Sequence, residues 1–192
     1  MALAKGYTVT YRWQGLSLHC WLTSLEMLMD WRYGNIYGVD PTNKTQRGQH
    51  TQQAVLAKAR QSPNQVPNFL GFRAGYRHAL LVDEYGLQRT KHQLRATVAS
   101  WETELKSGGP ILLSGDYGPA RIIGSHCVLA VGISGSNQIV YLDPFLIGRQ
   151  AIDDNHYIYM SPTDAVARLQ VVSNTQQAYQ AAEGATDKGV WP

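Results

Sequence analysis

The sequence predicts an α+β fold, because a helix that is apolar nearly all round comes early and strand-like apolar runs come late, without regular alternation of the two. A short alternating start, Tyr7 to Trp13, reads as a strand, and Gln14, Gly15 and Ser17 as the loop after it. The helix is the run Trp21 to Trp31, which leaves only a narrow polar stripe at Thr23, Glu26 and Asp30. A helix of that pattern is expected to be largely buried. The polar stretch 35–68 predicts turns at Asp40-Pro41 and Ser62-Pro63 around a weak helix at Gln52 to Arg60. Thr90 and Gln93 fit a capping box, and Leu94, Val98, Trp101 and Leu105 recur on one face, so a helix is expected to begin at Thr90. Gly108 stops it and Pro110 prevents continuation. Strands are predicted at Ile111 to Ser114, His126 to Ile133 and Gln138 to Asp143. Ser161-Pro162 is a cap followed by Pro at the first helical position, starting a helix that runs to about Leu169. Residues 1–172 are expected to form one domain, and the small polar residues 173–192 a frayed tail.

The 192 residues suit a single domain, and 44% hydrophobic with 16% charged residues is ordinary for a protein that buries a core. A formal charge of +3, with Lys and Arg scattered, gives no support for a nucleic-acid partner. No apolar run reaches bilayer-spanning length, and the start Met1 to Gly6 lacks the pattern of a secretory signal. With only two cysteines, Cys20 and Cys127, a disulfide framework is not expected and a reducing, cytoplasmic setting is.

Most free cysteines are small buried core residues. Cys20 differs in its position at the junction of a loop and the buried helix. The peptide dipoles and free N–H groups of a helix N-terminus favour negative charge, and thiolate is the reactive form of the side chain. His126 opens the apolar strand that ends at Ile133. If Ser134-Gly135 is a two-residue hairpin turn, Ile133 pairs with Ser136 and His126 stands directly opposite Asp143 on one sheet face. A longer turn moves that pairing by one or two residues. An imidazole with a carboxylate beside it can exchange protons with a thiol while the carboxylate holds the ring in place. Gln14, just upstream, can donate its side-chain amide to a developing oxyanion, together with the Cys20 backbone N–H.

Gln14, the run Cys20-Trp21-Leu22-Thr23-Ser24 and Met27-Leu28 resemble the active-site segment of papain-like cysteine peptidases. The later runs Gly109 to Leu112, Gly124 to Val128, Gly132-Ile133 and Leu142 to Phe145 resemble the same group. The nearer likeness is to compact bacterial members, such as the peptidase domains of bacteriocin-exporting transporters and papain-like toxin or effector domains. The resemblance implies a helical half, with the nucleophile helix, packed on an antiparallel β-sheet half, and an active site in the groove between them. It also implies Cys20 as nucleophile, His126 as base, Asp143 as orienting group and Gln14 as oxyanion donor, with no cofactor. A peptide or protein is the implied substrate. For a toxin or effector, delivery by a specialised secretion system and a cognate immunity protein are the implied companions. The sequence departs from the family at His19 and Cys127, neither of which removes a catalytic atom, and specificity is expected to reside in 35–87.

Two other readings use the same residues. The dipeptides His19-Cys20 and His126-Cys127 have zinc-ligand types, but adjacent strand residues point to opposite faces and no Cys-x-x-Cys spacing is present. Acyl-enzyme chemistry also serves peptidoglycan amidases, transglutaminases and deamidases, because fold and triad do not choose the acceptor. His50, His78, His92 and His156 are expected at the surface. Trp13, Trp21 and Trp31 are expected in the core or cleft wall, while Tyr76, Tyr85 and Tyr117 are candidates to line a cleft.

Overall fold

The structure, a computed structural model, describes residues 3–14, 20–33, 87–117, 126–145, 156–169, 171–172, 175–176, 178–181 and 189–190. The weak helix expected at Gln52 to Arg60, the turns at Asp40-Pro41 and Ser62-Pro63, and His50, His78, Tyr76 and Tyr85 lie outside those residues. The elements in chain order are β1 (Leu3–Tyr7), α1 (Cys20–Tyr33), β2 (Leu87–Arg89), α2 (Val98–Gly108), β3 (Ile111–Gly115) and β4 (His126–Ser134). They continue with β5 (Ile139–Leu142), β6 (Tyr157–Met160), α3 (Pro162–Arg168), β7 (Val171–Val172), β8 (Thr175–Gln176), β9 (Ala178–Ala181) and β10 (Gly189–Val190). The architecture is α+β.

Strand β4 organises the molecule. Its nine residues are all buried, which fits its near-continuous apolar sequence. It pairs antiparallel with β3 over 126–130, with β1 over 132–134 and with β5 over 129–133. The main path of the sheet runs β10-β1-β4-β3-β9-β2, and β5 and β6 extend it from β4. Helix α1 packs on β4 and β3, and every residue from Trp21 to Trp31 is buried, including the polar stripe. Tyr7 ties the layers together: its ring meets Trp31 of α1 edge-on at 5.0 Å, and its hydroxyl donates to the Leu105 carbonyl of α2. No described helix is long and apolar enough to cross a membrane.

Three expectations are corrected. The alternation over Tyr7 to Trp13 marks an extended segment, but the strand is Leu3–Tyr7. Beyond it, the main-chain N–H groups of Arg12 and Gln14 bond the Met27 sulfur and the Pro144 carbonyl. Alternation reports an extended backbone, and only available partners decide whether it joins a ladder. Helix α2 begins at Val98 with Thr97 as cap, not at Thr90. The intervening main chain is held from outside: Glu104 accepts from the N–H groups of Lys91 and His92, and the Gln176 side chain bonds both N–H and C=O of Leu94. The expected frayed tail instead supplies β9, which lies between β3 and β2 with Ala178, Tyr179 and Gln180 buried. Its Gln180 amide donates to the carbonyls of Glu104 and Gly109 at the end of α2, where Gly109 takes a φ of 84°. The polar composition of the tail hid this strand, because its polar side chains serve main-chain groups indoors.

Gly6 and Gly132 are partners where β1 crosses β4, and a Cβ on Gly132 would stand 2.2 Å from the Lys5 carbonyl oxygen and 2.9 Å from the Gly6 Cα. Gly132→Ala must therefore push two backbones apart. A loss of about 2 kcal/mol of stability is expected, as overpacking costs, read as a lower chemical-denaturation midpoint.

Candidate active site

Cys20 is the first residue of α1, so its thiol sits where the helix presents unsatisfied N–H groups. The Cys127 main-chain N–H of β4 lies 3.4 Å from the Cys20 sulfur and donates to it. That nitrogen is bonded to the carbonyl carbon of His126, so the thiol stands beside the histidine's own main chain. His126 is 5% exposed, and its Nε2 lies 2.6 Å from Oδ1 of the fully buried Asp143. An ionised carboxylate only accepts, so Nε2 carries the proton of this bond and Nδ1 is the ring's other nitrogen. Phe145 caps the arrangement, with its ring edge-on to His126 at 6.4 Å.

The route by which His126 meets Asp143 differs from the expected hairpin. The turn contains three residues, Gly135, Ser136 and Asn137, closed by Ser134 N–H to the Gln138 carbonyl and by Asn137 N–H to the Ser134 carbonyl. Asn137 takes the left-handed conformation at φ 61° that this loop type requires. Pairing therefore starts at Ile133↔Ile139, and continued unbroken it would set Asp143 against Leu129, three residues from His126 and on the other face. An extra residue, Val131, bulges between the pairs Ala130↔Tyr141 and Gly132↔Val140. The register after it, Leu129↔Leu142, sets Asp143 against Val128, two residues from His126. The two side chains are thus diagonal neighbours on one face rather than directly opposed. The bulge restores the parity on which their contact depends.

Asp143 is itself fixed. Its Oδ1 also accepts from the Phe145 N–H at 2.8 Å, an Asx turn around Pro144. Tyr11 donates its phenol to the Asp143 main-chain carbonyl at 3.3 Å. Burial first, and then the Asp143 carboxylate, push the Tyr11 pKa upward, so the phenol stays a donor. Gln14 is buried, and its main-chain N–H bonds the Pro144 carbonyl, which ties the Gln14 segment to the turn that carries Asp143.

The Cys20 thiol is therefore brought to the His126–Cys127 main chain and His126 to Asp143, and the Gln14 main chain is anchored to the turn after Asp143. The parts that hold them were not anticipated in those roles: Tyr11, Phe145, the main chain of Cys127, and Ser24, whose hydroxyl donates to the Cys127 carbonyl. The Asx turn was readable from Asp143-Pro144, and Ser24 from its place one turn after Cys20. Of the other expectations, those for Trp21, Trp31, His92 and His156 hold, and those for Trp13 and Tyr117 are corrected. Trp21 and Trp31 are buried, but Trp13 is 59% exposed. Tyr117 lies in the core with its hydroxyl bonded to the Ala165 carbonyl, not in a cleft. His92 is exposed yet partnered, since its ring Nδ1 bonds Glu104. His156 is exposed and stacks on Tyr11 at 4.3 Å. Among the described residues, no three His, Cys, Asp or Glu side chains cluster as metal ligands would.

A comparison with curated proteins gave no match. The family model described as Peptidase_C39 like family matches residues 8–167, most of the chain.

Proposed function

Since the chain belongs to the Peptidase_C39 like family and is a cysteine peptidase, we propose that it hydrolyses a peptide bond in a protein substrate through Cys20, His126 and Asp143. The observation that carries this reading is the chain of contacts from the Cys20 sulfur at a helix N-terminus to Cys127 N–H, and from the adjoining His126 ring to buried Asp143. In the reaction, the Cys20 thiolate attacks the scissile carbonyl carbon. The oxyanion that forms is held by the Cys20 main-chain N–H and the Gln14 side-chain amide. His126, protonated on Nδ1, gives that proton to the leaving amine, and the C–N bond breaks to leave a thioester on Cys20. The same nitrogen then takes a proton from water, whose oxygen attacks the thioester and releases the acid and the thiolate. Asp143 holds the ring in the required tautomer throughout.

We also read the chain as a toxin or effector that acts on a protein of a target cell and is matched by an immunity protein. Its support is the resemblance to compact bacterial effector domains. The experiment is a comparison of new protein N-termini in cells expressing wild type and Cys20→Ala, with growth recorded in the same cultures. New N-termini and arrested growth, both confined to wild type, are expected. New N-termini with normal growth would leave a maturing or housekeeping peptidase. A Cys20-dependent phenotype without new N-termini would point to an amidase or deamidase.

A further inference from the structure

The main chain of Cys127 is clasped by helix α1 at both its N–H and its carbonyl. Its N–H donates to the Cys20 sulfur at 3.4 Å, and its carbonyl accepts from the Ser24 hydroxyl at 3.1 Å. Cys20 and Ser24 are four residues apart on α1, so they share a helix face one turn apart. Cys127 lies beyond the β5 ladder, which begins at Leu129↔Leu142, and α1 supplies its partners there. Ser24 and Cys127 are both 0% exposed, so the Ser24 end of the clasp is shielded from water, while Cys20 is partly exposed.

We propose that Ser24 is a positioning residue for the nucleophile: its hydroxyl holds the Cys127 carbonyl, in the peptide after the one that carries the N–H, and so fixes the Cys127 backbone with that N–H aimed at the Cys20 thiolate. This rests on Cys20 being the nucleophile. A hydrogen bond to sulfur strengthens when the sulfur is charged, so a peptide held in this orientation favours thiolate over thiol. The N–H belongs to the preceding peptide, which begins at the His126 carbonyl carbon, so holding the Cys127 backbone also limits how far the histidine's main chain can rotate. Without the hydroxyl, the Cys127 carbonyl loses a buried donor, and the Cys127 backbone can turn its N–H away from the sulfur within what the β3 pairing allows.

The test is the pH dependence of Cys20 alkylation by iodoacetamide, followed by peptide mass mapping, in wild type, Ser24→Ala and Ser24→Thr. Among the described residues, the titratable side chains on the packed elements are Glu26, Asp30 and Arg32 on α1, His126 and Cys127 on β4, and Asp143 and Tyr11 beside them. All are unchanged in these variants. Ser24→Ala should raise the alkylation midpoint by about one pH unit, the scale of one hydrogen bond to a charged group, and Ser24→Thr should restore it. A merely structural serine would lower the melting midpoint of Ser24→Ala and leave the alkylation profile in place, which would overturn the proposal. Equal displacement in both variants would overturn it too. A second measurement needs no Ser24 variant: the Cys127 amide resonance should move as Cys20 ionises in wild type and stay still in Cys20→Ala. A flat Cys127 resonance in wild type would contradict the clasp. Alkylation requires no peptide substrate, so a displaced midpoint without peptidase activity would refute the substrate reading and keep the clasp.

Discussion

Cys20→Ala is expected to remove peptidase turnover, by at least ~10⁴-fold, as loss of a nucleophile does in other triad enzymes. The other thiol is not placed to replace it. The second thiol, Cys127, is fully buried and is the neighbour of His126 along a strand, so its side chain points to the opposite face. The fold should survive the change. Cys20 is only partly buried, and residue 20 keeps its place at the start of α1 without the sulfur. Alanine is a strong helix former, so the substitution should cost about 1 kcal/mol of stability at most. Inactivity with a near-native melting midpoint is therefore the expected pair of results, read by a peptide-hydrolysis assay and thermal denaturation.

His126→Ala is expected to be nearly as severe, and the Asp143 series should be graded. In the proposed mechanism the imidazole carries the proton between thiol and leaving amine, and its removal also leaves Asp143 buried without its aromatic partner. The carboxylate acts differently. Its Oδ1 accepts two bonds, from His126 Nε2 and from Phe145 N–H, so its work is that of an acceptor. An asparagine side-chain oxygen can accept both. Asp143→Asn should thus retain much more activity than Asp143→Ala, which loses the ring's orientation and the Asx turn together. The alanine variant should fall by about 10²–10⁴-fold in kcat and lose about 1–3 kcal/mol of stability through the orphaned Phe145 N–H. Equal activities for the two variants would contradict the orienting role.

The buried helix, the three sheet strands around the site and the position of Cys20 at the helix start were legible because they rest on local signals. A helix apolar nearly all round, an apolar strand, and a turn residue before proline each speak within a short window. What was not legible depends on distant partners. Thr90 and Gln93 satisfy a capping pattern, yet Glu104 claims the main chain of Lys91 and His92, and Gln176 that of Leu94, before a helix can start there. The β9 strand reads as a polar tail because Gln180 spends its polarity on α2. The His126–Asp143 pairing was anticipated with a two-residue turn. The actual turn is longer, and the Val131 bulge returns both residues to one face. A bulge has no sequence mark as plain as a turn's, although Gly132 beside it is the residue that lets β1 approach.

The central claim, a Cys20 thiolate that becomes acylated, is tested most directly by trapping the acyl-enzyme. Wild type, Cys20→Ala and His126→Ala are each mixed with nitrophenyl esters of blocked amino acids, quenched in acid and mapped by mass spectrometry. A single acyl group on Cys20 in wild type, absent in Cys20→Ala and formed far more slowly in His126→Ala, is the predicted result. An acyl group on Cys127 or on a hydroxyl, or one that forms at the same rate without His126, would contradict it.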